Sequence, residues 1–156
     1  MQTITRKFLV KQTLDLTGKK QWSQTRYYLY RKNGIVIRIQ TDGEKFELER
    51  KESKTDVMRE SEKISITKEE FESIGKIAID YVFRDSYFMS ETPRIILRIY
   101  HGQFEGLVRA EIEFQSIEEA NHFSPPQWMG KEITSTPLAK DETLLGLTVN
   151  ELQRLL

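Results

Sequence analysis

Apolar and polar residues alternate with a period of two along most of the chain, and such alternation predicts strands. In TITRKFLV, residues 3–10, Thr3, Thr5 and Lys7 share one face while Ile4, Arg6 and Phe8 share the other. IVIRIQ places Ile35, Ile37 and Ile39 opposite Val36, Arg38 and Gln40, and KFELERK places Phe46 and Leu48 opposite Lys45, Glu47, Glu49 and Lys51. IILRIY separates Ile95, Leu97 and Ile99 from Arg98 and Tyr100. LVRAEIEF separates Val108, Ala110, Ile112 and Phe114 from Arg109, Glu111 and Glu113. One strand after another has a greasy face and an ionic face.

Turn chemistry orders these runs. Asn33-Gly34 and Asp42-Gly43 supply the positive φ values of tight turns and join three β-rich runs, Tyr27 to Lys51, into a meander. A further run covers Val57 to Ile66, two strands follow Ile79, and a Gly-containing connection joins IILRIY to LVRAEIEF, giving about eight strands. Thr67 with Glu70 predicts a capped helix ending near Gly75; Ser116 with Glu119 opens a second over IEEANHF, stopped by Pro125-Pro126. A third such box predicts a last helix at about 148–156. The 156 residues read as a single domain, 1–156, with no repeat or linker.

Two architectures satisfy this pattern. An antiparallel sheet can rest its apolar face on helices and leave its charges in water. Alternatively, eight strands can close into a barrel whose apolar face lies outward under helices and whose ionic face lines the lumen. Charges leaving bulk water lose several kcal/mol each unless partners replace the hydration, so a chain keeps such a lumen mainly to hold a charged ligand. Periodicity leaves both open.

Composition narrows the chemistry. Lysines plus arginines number 24 and the acids 24, so nothing draws the whole molecule to nucleic acid or to an anionic membrane. There is no cysteine, which excludes disulfides, thiolate zinc sites and cysteine nucleophiles, and two histidines make a poor metal cage. No apolar run approaches the roughly 18 residues of a membrane span and the N-terminus reads as a strand, so a cytoplasmic location is expected. Tyr27, Tyr28 and Tyr30 beside Arg31 and Lys32 imitate a base-stacking face, but no nucleic-acid motif accompanies them. Trp128 reads as a packing anchor, and His101 and His122 read as structural.

TITRKF, GIVIRI, FELERK, the run led by Arg59, the HG of RIYHG, GLVRAEIEF, EEANHF and PPQWMGKEIT stand in a familiar order. Together they resemble the CYTH family of triphosphate tunnel enzymes: inorganic and thiamine triphosphatases and class IV adenylyl cyclases. The resemblance implies an α+β fold, an eight-stranded antiparallel closed or nearly closed β tunnel with an ionic lumen. It further implies that tunnel lysines and arginines clamp a triphosphate while glutamates hold one or two divalent cations. The mixture is chemically apt, since phosphate favours several cationic donors and Mg²⁺ or Mn²⁺ favours carboxylates. Carried onto this chain, the phosphate contacts are Lys7, Arg38, Lys51, Arg59 and Lys131, with Lys63, Arg98 and Arg109 as further cations.

The acidic half departs from the pattern. Glu111 and Glu113 match the family's metal-binding and catalytic pair, but Thr3 and Thr5 stand where glutamates are expected, and the R-x-E-x-E motif reads RESEK from Arg59. Gln40 and Ser86 replace arginines, and Arg98 takes an aspartate's place. Glu49 could substitute as a ligand or pair with tunnel cations, and a bulge near Arg59 would turn Glu60 and Glu62 inward. The expected function is therefore capture of a triphosphate, polyphosphate or phosphorylated metabolite, with Mg²⁺- or Mn²⁺-dependent hydrolysis weakened or altered. An active triphosphatase and a protein-interaction module are the alternatives, and a homodimer is compatible with either.

Overall fold

The computed structural model of the protein describes residues 2–78 and 80–156. Ile79, the residue ahead of two predicted strands, lies outside the described residues. The strands are β1 (Gln2–Leu9), β2 (Gln21–Lys32), β3 (Ile35–Thr41), β4 (Phe46–Ser53), β5 (Met58–Ser65), β6 (Asp80–Glu91), β7 (Arg94–Tyr100) and β8 (Val108–Phe114). They close into one antiparallel barrel in the order β1-β5-β4-β3-β2-β6-β7-β8. Among the described residues four short α-helices accompany it: α1 (Lys68–Gly75), α2 (Ile117–His122), α3 (Asp141–Leu144) and α4 (Val149–Leu155). The closed α+β barrel, rather than the open sheet, is the architecture present. Among the described residues no helix is long and apolar enough to cross a membrane.

Register fixes which side chains meet inside. Thr5 lies opposite Glu113 and Lys7 opposite Glu111, while Arg38 faces Glu49 and Glu49 in turn faces Lys63. Directly opposite residues share a face of the pleat, so these groups line one lumen. The β4–β5 register runs without a shift from Glu47–Ser65 to Ser53–Arg59. Arg59, Ser61 and Lys63 therefore point inward, and Glu60 and Glu62 are exposed outside, which corrects the bulge reading. The ring is sealed least extensively between β1 and β5, through Gln2–Glu60, Thr3–Arg59 and Ile4–Met58; β1 and β8 pair from Ile4–Phe114 to Leu9–Arg109.

The local signals act largely as their chemistry dictates. Asn33 and Gly34 both adopt positive φ, 53° and 76°, in the turn between β2 and β3. The next turn is looser: Thr41 and Phe46 bracket four residues, and the Asp42 carboxylate accepts from the Glu44 and Lys45 amides. Thr67 and Glu70 form a reciprocal capping box on α1, as Thr148 and Glu151 do on α4. Ser116 caps α2, but the Glu119 carboxylate turns to the Gln115 amide instead of the cap. β2 begins at Gln21, six residues before the predicted run, because QWSQTR continues the same alternation without turn residues.

Apolar residues gather in two places. Ile4, Phe8, Leu97, Ala110, Ile112 and Phe114 lie on the outside of the barrel, under Ala120 of α2 and the following Phe123, Trp128 and Met129. The second cluster closes one end of the ring. Tyr28, Val36, Val82 and Tyr100 come from the strand ends there and pack against Leu138, Leu144 and Leu152 of the C-terminal segment. Each large side chain so buried contributes about 1.5–3 kcal/mol. The barrel is thus a cup, floored by residues 137–152 and open at the other end.

Candidate functional site

The cup holds two adjoining polar chambers. The wider, about 810 Å³, lies toward the mouth and is lined by Thr5, Gln24, Arg26, Gln40, Arg98 and Glu111 among others. The narrower, about 380 Å³, lies against β4 and β5 and is lined by Thr3, Arg38, Glu49, Lys51, Arg59 and Ser61. Lys63 and Glu113 border both. At the rim Trp22, Phe88 and Ile96 add an apolar wall, and the rim charges balance: Lys20, Lys45 and Arg94 against Asp42, Glu44 and Glu47.

The lumen carboxylates are heavily engaged. Glu49 accepts from the Arg38 guanidinium at 2.6 and 3.1 Å. Glu111 accepts from Arg109 at 2.6 and 3.1 Å on one oxygen and from Arg98 at 3.2 Å on the other, with Lys7 and Arg84 each 4.0 Å away. Arg98 also donates to Ser86 at 2.7 Å and to Gln24 at 3.0 Å. Gln40, where the family resemblance expects an arginine, accepts from Arg38 at 3.1 Å.

The floor is ionic as well as apolar. Asp141, the first residue of α3, accepts from Arg26 and Arg84 at 3.1 Å, from Arg109 at 3.2 Å and from the Tyr100 hydroxyl. Its neighbour Glu142 pairs with Lys51 at 3.2 Å. Lys7 donates to the carbonyl of Ala139 and Arg109 to that of Leu138 at 2.9 Å, so the ceiling of the floor segment is stitched to the strands by charge-assisted bonds.

Positive charge nevertheless dominates. Nine cationic side chains, Lys7, Arg26, Arg38, Lys51, Arg59, Lys63, Arg84, Arg98 and Arg109, face five carboxylates, Glu49, Glu111, Glu113, Asp141 and Glu142. The titration of these groups reflects that surplus. Burial, then Arg38, lowers Lys51 from 10.5 to about 7, and burial, then Arg59 and Arg109, holds Lys7 well below the usual lysine value. Burial and Arg84 lower Arg98 to about 10. For Glu49, burial alone would raise the pKa, but Arg38, Arg26 and Lys63 outweigh it and bring it to about 2. Burial is likewise outweighed at Glu111, by Arg98 and Arg109, and at Asp141, by Arg84 and Arg26; both stay well below the usual carboxylate range. Among the described residues, three that line this space each carry a buried polar atom with no hydrogen-bond partner within the protein: Thr5 Oγ1, Arg26 Nε and Arg59 Nε. Buried donors of that kind cost stability until an acceptor arrives.

A divalent cation finds a poor cradle. Among the described residues no three acidic or histidine side chains are grouped to hold a metal ion. Glu111 and Glu49 are saturated by arginines, and Thr3 and Thr5 offer only neutral hydroxyls. Glu113 is the lumen carboxylate that no ion pair reaches among the described residues. The donor set therefore does not fit the Mg²⁺ or Mn²⁺ that the sequence resemblance implies.

Of the residues singled out in the sequence, the lumen brings together Lys7, Arg38, Glu49, Lys51, Arg59, Lys63, Arg98, Arg109, Glu111 and Glu113. Lys131 is not among them. Residues 131–133 pair edge-on with β1 past the end of β5, the Leu9 amide on the Lys131 carbonyl at 2.9 Å and the Ile133 amide on the Lys7 carbonyl at 2.8 Å, and the Lys131 side chain is exposed and borders neither chamber. Sequence reasoning missed Arg26, Arg84, Asp141 and Glu142. Alternation in QWSQTRYY and in YVFRDSYF, where Arg84 lies two residues before Ser86, could have found the arginines. No local signal places the two acids under the barrel.

No protein-family model matches the chain. No curated protein matches it either. Solved structures do. The inorganic triphosphatase NE1496 superposes with a TM-score of 0.71 at 24% identity, over 94% of this chain and 95% of that one. A conserved hypothetical protein from Pyrococcus furiosus gives 0.60 at 15% identity, over 96% and 93%. HpAC1 from Hippeastrum, which has a dominant triphosphatase activity, gives 0.55 at 14% identity, over 76% and 82%. Identities this low speak to the fold alone, and the fold is one this chain shares with the inorganic triphosphatase NE1496.

Proposed function

We propose that the lumen binds a polyanionic small molecule, a triphosphate, polyphosphate or phosphorylated metabolite, through its arginines and lysines and without depending on a divalent cation. The observation that carries this reading is the combination of four surplus formal positive charges with unpartnered buried donors at Thr5, Arg26 and Arg59. A multivalent phosphate supplies both the missing negative charge and the missing acceptors, and arginine engages phosphate bidentately. The tunnel fold shared with an inorganic triphosphatase supports the same ligand class.

Hydrolysis is weakened on this reading, since the carboxylates that would position a cation are held by arginines. Calorimetry with tripolyphosphate in EDTA tests it, paired with phosphate release measured with and without Mg²⁺ or Mn²⁺. Binding heat in EDTA with slow release that metal barely changes is expected. Absence of binding by every phosphate compound would leave an interaction module standing. The second reading, an active Mg²⁺- or Mn²⁺-dependent triphosphatase, draws on the unpaired Glu113 bordering both chambers, and fast metal-dependent release would select it.

A further inference from the structure

We propose that the Asp141 carboxylate is a built-in anion filling the deepest anion subsite of the lumen, so that it sets how far a linear polyphosphate can enter and selects for chain length. This rests on the polyanion reading above and adds a residue that determines specificity. Both carboxylate oxygens are matched: Arg26 and Arg84 donate to one, Arg109 and Tyr100 to the other. Three guanidinium groups and a hydroxyl converging from four strands are the donor set a phosphoryl group takes, yet here they surround a side chain of the same protein that is 2% exposed.

The occupant does not swing aside. Leu138 and Leu144, 1% and 0% exposed, anchor the segment on both sides of Asp141, and Lys140 reaches Ser53 at 3.1 Å. A phosphate chain entering from the mouth therefore meets free cations in the two upper chambers, at Arg59 for instance, and a closed account below them. Glu142, on Lys51, tightens the same limit from the side of the narrower chamber.

The test uses the full chain with Asp141→Ala, which empties the subsite, and Asp141→Asn, which keeps its volume but not its charge. Inorganic phosphate in the millimolar range should raise the melting temperature of Asp141→Ala by several degrees and leave the wild type nearly unmoved. Across pyrophosphate, tripolyphosphate and tetrapolyphosphate, the preferred length should shift upward by one phosphoryl group in Asp141→Ala. Asp141→Asn should keep the wild-type length preference while binding tripolyphosphate about tenfold more tightly, because one negative charge that repels the ligand is gone. If Asp141→Ala folds poorly, phosphate should restore its circular dichroism spectrum. The proposal is overturned if phosphate neither stabilises nor refolds Asp141→Ala, or if the length profile stays put. Phosphate rescue of Asp141→Ala beside a wild type that binds no polyphosphate would retain the subsite and reject the earlier reading of the ligand.

Discussion

Replacing Glu111 with glutamine distinguishes a structural counter-charge from a metal ligand. The substitution keeps the shape of the side chain and removes one negative charge from a point where Arg109 and Arg98 donate at 2.6 to 3.2 Å and Lys7 and Arg84 stand at 4.0 Å. Breaking a buried ion pair by neutralising one partner costs about 3–5 kcal/mol, because the remaining charges are left uncompensated. For a domain of this size each kcal/mol moves the melting temperature by about 2–4 °C, which gives a fall of roughly 6–20 °C. Thermal unfolding in EDTA reads that fall directly. Repeating it with tripolyphosphate should recover more of the loss in Glu111→Gln than the ligand adds to wild type, because a bound polyanion replaces the deleted charge. A melting temperature within a degree or two of wild type, together with abolished metal-dependent phosphate release, would refute the reasoning and make Glu111 a ligand.

Other consequences concern individual cations. The protonated form of Lys51 is disfavoured in the folded state, a cost fully present below its folded pKa of about 7 and released as pH rises toward the ordinary 10.5. The ligand-free protein should therefore gain stability across that window, while tripolyphosphate binding near pH 7.5 should take up protons and weaken as pH rises; titrations in buffers of different ionisation heat would show no difference if this is wrong. Arg59→Gln should lower tripolyphosphate affinity more than tenfold and leave the ligand-free melting temperature equal or higher, since its Nε has no partner inside the protein. Leu138→Ala, at a fully buried floor position, should cost about 2–5 kcal/mol in denaturant unfolding. A loss under 1 kcal/mol would mean that the floor is not packed as described.

How much of this was legible in the chain depends on the range of the physics involved. Period-two alternation set the facing of Lys7, Arg38, Lys51 and Glu111, because facing is a local property of a strand. Capping at Thr67 and Thr148 was equally local. The closing of the ring was not, since the same alternation serves an open sheet; only the order of motifs favoured the barrel. Arg26 and Arg84 stand on the ionic faces of QWSQTRYY and YVFRDSYF, where the alternation is present but no recognised motif marks either arginine. Asp141 and Glu142 sit in a short helix more than a hundred residues from Arg26 and ninety from Lys51, and nothing nearby in sequence says that this helix tucks beneath the barrel. Lys131 was misplaced for a related reason: the segment carrying it pairs with the edge of β1 beyond the end of β5, and a motif's spacing does not tell where along the wall the chain docks.

The brief junction between β1 and β5 gives this hoop a natural place to spring open. Thr3 and Arg59 meet at that junction and both look inward, so an anion gripped there would hold the two neighbouring strands side by side like a clasp. Occupancy would then slow hydrogen exchange along the first strand more than along the long hairpin of β2 and β3, and the barrel would be braced where its own ladder is shortest.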